Sequence, residues 1–468
     1  MKMLLDSYLK LSDLHTDVKK QIKQELTIKN PEYQKKKAMG LPMWGCQPEI
    51  KLWKEELGQL IVPRGYYARA WEVFGEKPAI EDRRKLLEYI EFPDRPNLRD
   101  YQKPALERAK IWEQGVILMP CGAGKTESAL AIIENIGQPA LWITHTMDLL
   151  NQSMERAKSR LGLQGDQIGI IQGANMTIGT HITFATVQTL SKRSLDSIKN
   201  RFGCIIVDEC HLAFKGPGKA KMFESVISQF PAYYRFGVTA SDHRSDGLID
   251  TMYHILGPGI YEVGQEELNA AGNVIVPEVE FIETQFFHEP EEDKPLNVQQ
   301  MLVAMREDVE RDEIVKSILD EKILPGDYCI VLGDSLDYLE SLCSFVTEKL
   351  QRTGAFVCGE TPKKTREKIM SDMKAGRYRY LFATYQLAKL GLDIPHLNKL
   401  VLVTPKRDKT SIQQASGRIM RPSEGKTTPV IYDVYDTLIP QLTHWAKDRI
   451  KVYKKLECKI NGGPKVRG

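Results

Sequence analysis

Apolar residues recur along this chain in short runs set off by polar turns, and the spacing of those runs divides it into three stretches. At the start, Val18 to Leu26 has helical spacing, and Leu60-Ile61-Val62 reads as a strand that breaks into a turn at Pro63-Arg64-Gly65. From Leu118 to Val238, runs that are apolar on both faces alternate with helical stretches: Ala140-Leu141-Trp142-Ile143, Ile182-Thr183-Phe184, Cys204-Ile205-Ile206-Val207 and Arg235-Phe236-Gly237-Val238. The same rhythm resumes after Asn273-Val274-Ile275-Val276-Pro277 and a charged, proline-containing insert from Phe287 to Pro295. Its strands are Tyr328-Cys329-Ile330-Val331-Leu332, Ala355-Phe356-Val357, Tyr380-Leu381-Phe382-Ala383 and Lys399-Leu400-Val401-Leu402-Val403. Short strands with no polar face, separated by helices, predict parallel sheets covered on both sides. The expected architecture is α/β: a small α+β domain over residues 1–96, a linker around Pro93 and Pro96, then two similar parallel-sheet domains over 97–272 and 273–468.

The length of 468 residues agrees with about three domains at ~150 residues each. With 42% hydrophobic and 27% charged residues the composition is that of an ordinary globular chain. Its 65 basic and 62 acidic residues leave a net charge of +3, too little to announce a nucleic-acid partner, so any basic track has to be local. Two such tracks stand out. Lys35-Lys36-Lys37 lies among Trp44, Trp53, Tyr66, Tyr67 and Trp71, a mixture that serves either to stack on bases and grip phosphates or as the core of a small domain. From Lys447 onward, Lys447, Arg449, Lys451, Lys454, Lys455, Lys459, Lys465 and Arg467 face only Asp448 and Glu457, which suits phosphate contacts or a solubilising helix equally. The eight cysteines are scattered, with no Cys-x-x-Cys pair and no histidine cluster at metal spacing, so neither a disulfide framework nor a zinc site is expected. Asp6 interrupts Met3-Leu4-Leu5, and no apolar run nears the ~20 residues of a membrane span, so a soluble, cytoplasmic protein without a membrane partner is expected.

The chemistry concentrates after Val116-Ile117-Leu118. Met119-Pro120-Cys121-Gly122-Ala123-Gly124-Lys125-Thr126 breaks a strand into glycines and then enters a helix from Glu127 to Glu134. Backbone N–H groups and the positive end of a helix converge there on an anion, which makes Gly122 and Gly124 the lining of a phosphate cradle. Lys125 is expected to reach the outer phosphates of ATP, and the Thr126 hydroxyl to hold the bridging Mg²⁺. Met119 stands where the general pattern has its first glycine. One helix and one strand earlier, Arg99 and Gln102 in Asn97-Leu98-Arg99-Asp100-Tyr101-Gln102 are placed to pack against and hydrogen-bond an adenine. The run Ile205-Ile206-Val207 ends in Asp208-Glu209-Cys210-His211. Asp208 suits the water shell of Mg²⁺, and Glu209 suits the orientation and deprotonation of an attacking water. Val238-Thr239-Ala240-Ser241 ends the next strand with two hydroxyls able to hydrogen-bond that acidic cluster.

Gly-x-Gly-Lys-Thr, then Asp-Glu-x-His, then Thr-Ala-Ser, in this order, resembles the first motor domain of superfamily-two helicases and translocases. His243-Arg244-Ser245-Asp246-Gly247 directly afterwards resembles the branch that contains XPB and the phage UvsW-type helicases. The resemblance covers roughly Asn97 to Pro422 and implies two tandem RecA-like domains, with His211, Thr239, Ser241 and Arg244 coupling the nucleotide site to the rest of the motor. Thr384 and the run Lys389-Leu390-Gly391-Leu392-Asp393-Ile394-Pro395 match the family's element that senses nucleotide, through Gly391 and Asp393, and touches the nucleic-acid backbone. Gln413-Gln414-Ala415-Ser416-Gly417-Arg418-Ile419-Met420-Arg421-Pro422 matches its arginine-finger motif, which implies catalytic roles for Gln414, Arg418 and Arg421. The two arginines, three apart, are expected on one helical face. By the same resemblance Thr144, His145, Thr186 and Thr384 are to track the phosphates of one strand, and Val62-Pro63-Arg64-Gly65 looks like the substrate-recognition domain of phage relatives. Cys210 and Ser241-Asp242 depart from the common pattern without removing a group needed for hydrolysis. The implied activity is that of an ATP- and Mg²⁺-dependent DNA helicase moving 3′ to 5′ on forks, four-way junctions or R-loops, in company with replication or recombination proteins. Two readings stay open beside it: a double-strand translocase or RNA-dependent ATPase that never separates strands, and an ATP-gated annealing clamp. No strand-separating wedge is legible in the sequence.

Overall fold

The computed structural model describes residues 1–75, 78–120, 122–213, 217–240, 249–270, 272, 274–289, 297–389 and 394–465. The chain divides into two units. The first takes in residues 1–120 and 124–263 and holds two large sheets and a two-stranded one, Thr27–Lys29 with Glu49–Lys51. The smaller of the large sheets orders its strands Lys54–Glu56, Gln59–Pro63, Tyr8–Ser12, Lys2–Leu5 and Ala79–Asp82, antiparallel except for the last pair. Period-two alternation turns Met3, Leu5, Leu9, Leu11, Leu60 and Val62 inward, where helices Thr16–Glu25 and Tyr67–Phe74 cover them with Ile22, Ala70 and Phe74. Tyr66 joins this core, while Trp44 stands fully outside it.

The larger sheet runs 175–177, 168–172, 182–186, 140–144, 204–208, 234–239, 114–118, 259–262, parallel throughout except for the first pair. Its central five strands are those with two apolar faces. The flanking strands, Ile168–Gln172, Asn175–Thr177 and Gly259–Glu262, carry exposed positions and so lack that signature.

Within this unit the two large sheets are fastened together at backbone level. A side chain at Gly65 would place its Cβ 2.5 Å from both Gly257 N and His254 O, so only glycine fits. The fully buried Arg64 donates from Nε to Gln114 Oε1 at 2.8 Å and from Nη1 to the Ala232 carbonyl at 2.6 Å. Arg84 lies 2.9 Å from Glu113 and stacks over Tyr233 at 4.0 Å. The stretch expected as a linker is strapped to the larger sheet's helices, with Ile90 N–H on the Gly137 carbonyl (2.9 Å) and Asp94 N–H on the Leu161 carbonyl (3.1 Å).

The second unit takes in residues 121–123 and 264–468. Seven strands, all parallel, run 354–357, 380–384, 329–333, 399–402, 430–436, 278–284, 459–461. Glu278–Thr284 alternates glutamates with buried Val279 and Phe281, which hid it from a search for continuous apolar runs. Two buried ion pairs anchor the strand Val430–Asp436: Arg311 Nε to Asp436 Oδ1 at 2.7 Å, and Arg449 Nη2 to Asp433 Oδ1 at 2.7 Å. The second pair takes Arg449 out of the basic run that begins at Lys447. Helix Pro440–Lys455 packs Leu442, Trp445, Ile450 and Tyr453 inward and carries Arg449 into the core with them. Among the described residues no helix is long and apolar enough to cross a membrane.

Candidate nucleotide site and nucleic-acid face

Parallel register brings the carboxyl ends of the first unit's central strands to one edge: Asp208 pairs with Val238, Thr239 with Leu118, and Thr186 with Thr144. Ligands of such sheets bind beyond that edge. Past Leu118 the chain turns through Gly122 (φ 88°) and Gly124 (φ 77°), and Gly124 caps the helix Lys125–Ile136. Both angles lie in the left-handed region that glycine adopts without strain. At Gly124 a Cβ would also collide with the amide nitrogen of Gln102. That buried amide accepts from Arg99 N–H at 2.8 Å and donates to the Gly124 carbonyl at 3.2 Å. Gln102 therefore braces the glycine turn, and the Arg99 guanidinium donates to the Tyr101 hydroxyl at 3.0 Å.

Asp208 is buried at its strand end and accepts from Ser153 Oγ at 3.1 Å. Burial, reinforced by the neighbouring Glu209, raises its pKa, while Lys125 and Ser153 pull the other way. Glu209 itself has φ 48°, a conformation that side-chain-bearing residues seldom adopt and that concentrates at functional positions. Its carboxylate lies between Lys125 Nζ (3.5 Å) and His211 Nδ1 (3.4 Å), and the same His211 nitrogen is 2.7 Å from Thr239 Oγ1. Cys210, the departure inside the acidic motif, is explained by packing. Its thiol faces Met252 Sδ at 3.3 Å, and a Cβ at Gly237 would lie only 2.9 Å from it, so a small side chain is what this position accepts.

The donor set suits magnesium. Among the described residues no three His, Cys, Asp or Glu side chains form a metal cage, but Mg²⁺ is ordinarily held by one or two carboxylates, waters and substrate phosphates. A desolvated Asp208 carboxylate beside Glu209, with the Thr126 hydroxyl in the first turn of the following helix, is such a set.

The residues expected to meet nucleic acid behave less uniformly. Thr144 is fully buried and its hydroxyl donates to the Thr146 carbonyl at 3.0 Å, which corrects its assignment as a strand contact: the side chain closes a turn and does not reach the surface. Thr186, also buried, caps the helix Val187–Leu190 by accepting from Thr189 N–H at 3.3 Å. His145 is held by Gln188 Nε2, which lies 3.2 Å from its ring nitrogen and donates to its carbonyl at 3.0 Å. In the second unit, Thr384 accepts from Leu387 N–H at 3.4 Å at the start of helix Tyr385–Lys389.

Gln414 and Arg418 ride the helix Lys409–Ile419, and the Gln414 amide oxygen is buried with no donor among the described residues. Arg421 lies beyond that helix, which corrects the expectation of one helical face. Pro422 disfavours helical backbone at the residue before it, and the helix stops at Ile419. The Arg421 carbonyl instead accepts from Lys426 Nζ at 2.6 Å, and Lys426 also donates to the Pro395 carbonyl at 3.0 Å. Burial, with Arg421 nearby, pulls the Lys426 amine down to about 7. Ser241, Arg244, Gly391 and Asp393 lie outside the described residues.

Sequence reasoning missed Ser153 and Lys426. Ser153 had a signal, a small polar residue in the apolar stripe Leu149, Leu150, Ala157 and Leu161 of its helix. Lys426, on an irregular segment, had none.

The chain matches two families: the res subunit of type III restriction enzymes over residues 95–243, and the helicase conserved C-terminal domain over residues 310–423. A putative ATP-dependent RNA helicase of Acanthamoeba polyphaga mimivirus is 27% identical over 355 residues, 74% of this chain and 64% of the relative. The DNA 3'-5' helicase XPB of Mycobacterium tuberculosis is 26% identical over 355 residues, 72% of this chain and 60% of the relative. The chain thus spans less than two thirds of the length of these curated relatives. Among solved structures, S. cerevisiae Dbp5 bound to RNA and ADP BeF3 aligns with a TM-score of 0.58 at 13% identity, over 77% of this chain and 89% of that one. The shared fold is the tandem RecA-like arrangement of two parallel α/β sheets expected from the sequence.

Proposed function

Because the chain belongs to the superfamily-two helicases and translocases, we propose that it is a nucleic-acid-dependent ATPase that moves along DNA and remodels branched structures such as forks, four-way junctions and R-loops. The observation that carries the motor reading is Glu209, held at φ 48° between Lys125 and His211, with Thr239 behind the imidazole. Without nucleotide, the Lys125 ammonium neutralises the Glu209 carboxylate. When a triphosphate enters the glycine cradle, Lys125 turns to its outer phosphates, and Glu209 is left to orient a water and accept its proton. Magnesium held through Asp208 and Thr126 supplies the charge neutralisation that phosphoryl transfer needs. Gln414, Arg418 and Arg421 supply polar and positive groups for hydrolysis. His211 and Thr239 pass the state of Glu209 to the strand end that leads into Ser241 and Arg244. Arg99 packs against the adenine, and Gln102, which also braces the cradle, hydrogen-bonds its edge. On the nucleic-acid side, His145, the backbone around Thr186, and Thr384 follow one strand's phosphates.

The XPB-type relative supports DNA as the track, and the mimivirus relative supports RNA as a second reading. The test is the rate of ATP hydrolysis at one fixed salt concentration without nucleic acid and with single-stranded DNA, plain duplex, forked DNA, four-way junction DNA and RNA. Forked or junction DNA is expected to stimulate most. Equal or greater stimulation by plain duplex or by RNA removes the branched-DNA reading and leaves a general motor, and no stimulation at all removes the motor.

A further inference from the structure

Between the antiparallel strands Thr27–Lys29 and Glu49–Lys51 the chain makes an excursion that contributes nothing to the core. No residue of its helix Pro31–Ala38 is buried, and Met39, Leu41, Met43 and Trp44 are all exposed. The excursion is nonetheless fixed. Asn30, buried at its base, accepts from the N–H groups of Glu32 and Tyr33 and so caps the helix, while its amide nitrogen donates to the Gln47 carbonyl at 2.7 Å and ties the two ends together. Leu41 N–H folds back onto the Lys36 carbonyl at 2.9 Å. Cys46 N–H closes a turn onto the Met43 carbonyl at 3.0 Å, with Gly45 at φ 69°. The first corner of that turn is Trp44, 97% exposed.

A hydrogen-bonded turn that holds an indole in water, on an element with no share in the core, presents that ring to something else. The neighbouring charge says what. Lys35, Lys36 and Lys37 form the last turn of the helix onto which Leu41 folds. Lys36 is engaged by Glu32 at 3.1 Å. From Lys29 to Lys51, both included, there are five lysines and two glutamates, a local excess of positive charge in a chain whose whole excess is +3. Protein-binding patches are depleted in lysine at their centres, whereas aromatic faces set among cations take bases and phosphates.

We propose that Trp44 stacks on an exposed nucleobase at a boundary between paired and unpaired nucleic acid, with Lys35 and Lys37 on the adjoining phosphates. Because Gly65, Arg64 and Arg84 fasten this domain to the eight-stranded sheet, a base held by Trp44 is held rigidly by the first motor domain. That supplies the wedge that the sequence alone did not reveal. The proposal rests on the nucleic-acid motor reading, but its test does not need ATP.

Forked DNA carrying 2-aminopurine at the first unpaired position, in the single-stranded arm, or inside plain duplex is titrated with the full chain without nucleotide. Quenching by the wild type is expected to be strongest at the boundary position. Trp44→Ala should lose that quench and bind the fork about tenfold more weakly, while Trp44→Phe keeps most of both. Joint replacement of Lys35 and Lys37 by alanine should flatten the dependence of log Kd on log salt by about two units. An unchanged quench in Trp44→Ala, or equal quenching inside plain duplex, overturns the proposal. If nucleic acid does not stimulate ATP hydrolysis while the quench still depends on Trp44, the motor reading falls and this one stands. The opposite pair of results leaves the motor and removes the wedge.

Discussion

Asp208 and Glu209 are neighbours at one strand end, yet the fold strains them in different ways. Asp208 is desolvated beside a like charge, so its pKa is raised and the native state keeps its proton to higher pH than the unfolded chain does. Its contribution to stability is therefore lost as pH rises from the ordinary carboxylate range toward about 6, and at neutral pH the buried charge is a burden that a bound cation relieves. Asp208→Asn should accordingly stabilise the nucleotide-free protein at pH 7.5 by about 2 kcal/mol and gain less than the wild type from added Mg²⁺ and ATP. Thermal melting with and without the nucleotide checks this, and a lower melting temperature for the free variant would refute it. Glu209 is strained in its backbone, with Lys125 and His211 beside its carboxylate. Both carboxylates were legible in the sequence because the motif that carries them is contiguous. Ser153, which supports one of them from 55 positions away, announced itself only by its place in an apolar stripe.

Among the elements, the turn Arg64–Tyr66 decides most. A strand running into a turn was readable at Leu60 to Gly65, and the observed Gln59–Pro63 strand and the following single helical turn match it. The role of the glycine was not readable, because the backbone it touches, Tyr253 to Gly257, is nearly two hundred residues away. Gly65→Ala should lower the stability of the first unit by about 3 kcal/mol, since the added carbon meets backbone atoms that have nowhere to move. Gly359→Ala, where a Cβ meets nothing within 4 Å and φ is not positive, is the matched control and should be close to neutral. Denaturant unfolding of both variants decides the matter, and equal effects would show that the close approach carries no energy. Strands next to a sheet edge, such as Ile168–Gln172 and Glu278–Thr284, escaped the pattern for a complementary reason. With one face partly exposed they alternate, and alternation over five to seven residues is easily lost among loops.

At the scale of the whole molecule, each of the two units carries a parallel sheet and a core of its own. Glu209 and Lys125 belong to the first, Arg418 and Arg421 to the second. Glu209→Gln and Arg421→Ala should therefore both still bind ATP within about threefold of the wild type, while turnover falls by about 10²–10⁴ for the first and 10³–10⁵ for the second. Equilibrium binding of a fluorescent nucleotide and steady-state hydrolysis measure the two quantities. Wild-type turnover in either variant would remove that residue from the mechanism.

The sequence by itself determined the two parallel-sheet domains, the glycine cradle that opens the helix Lys125–Ile136, and the acidic strand end at Asp208. Each of these is written in residues adjacent along the chain, where spacing and two-sided apolarity act locally. Tertiary structure alone decided that Arg449 enters the core against Asp433 and that Lys426 ties Arg421 to Pro395. It alone sent Thr144 inward and left Trp44 in water while Tyr66 went inside. Burial and partnership between distant residues are properties of the packed chain, and no residue type or spacing carries them in advance.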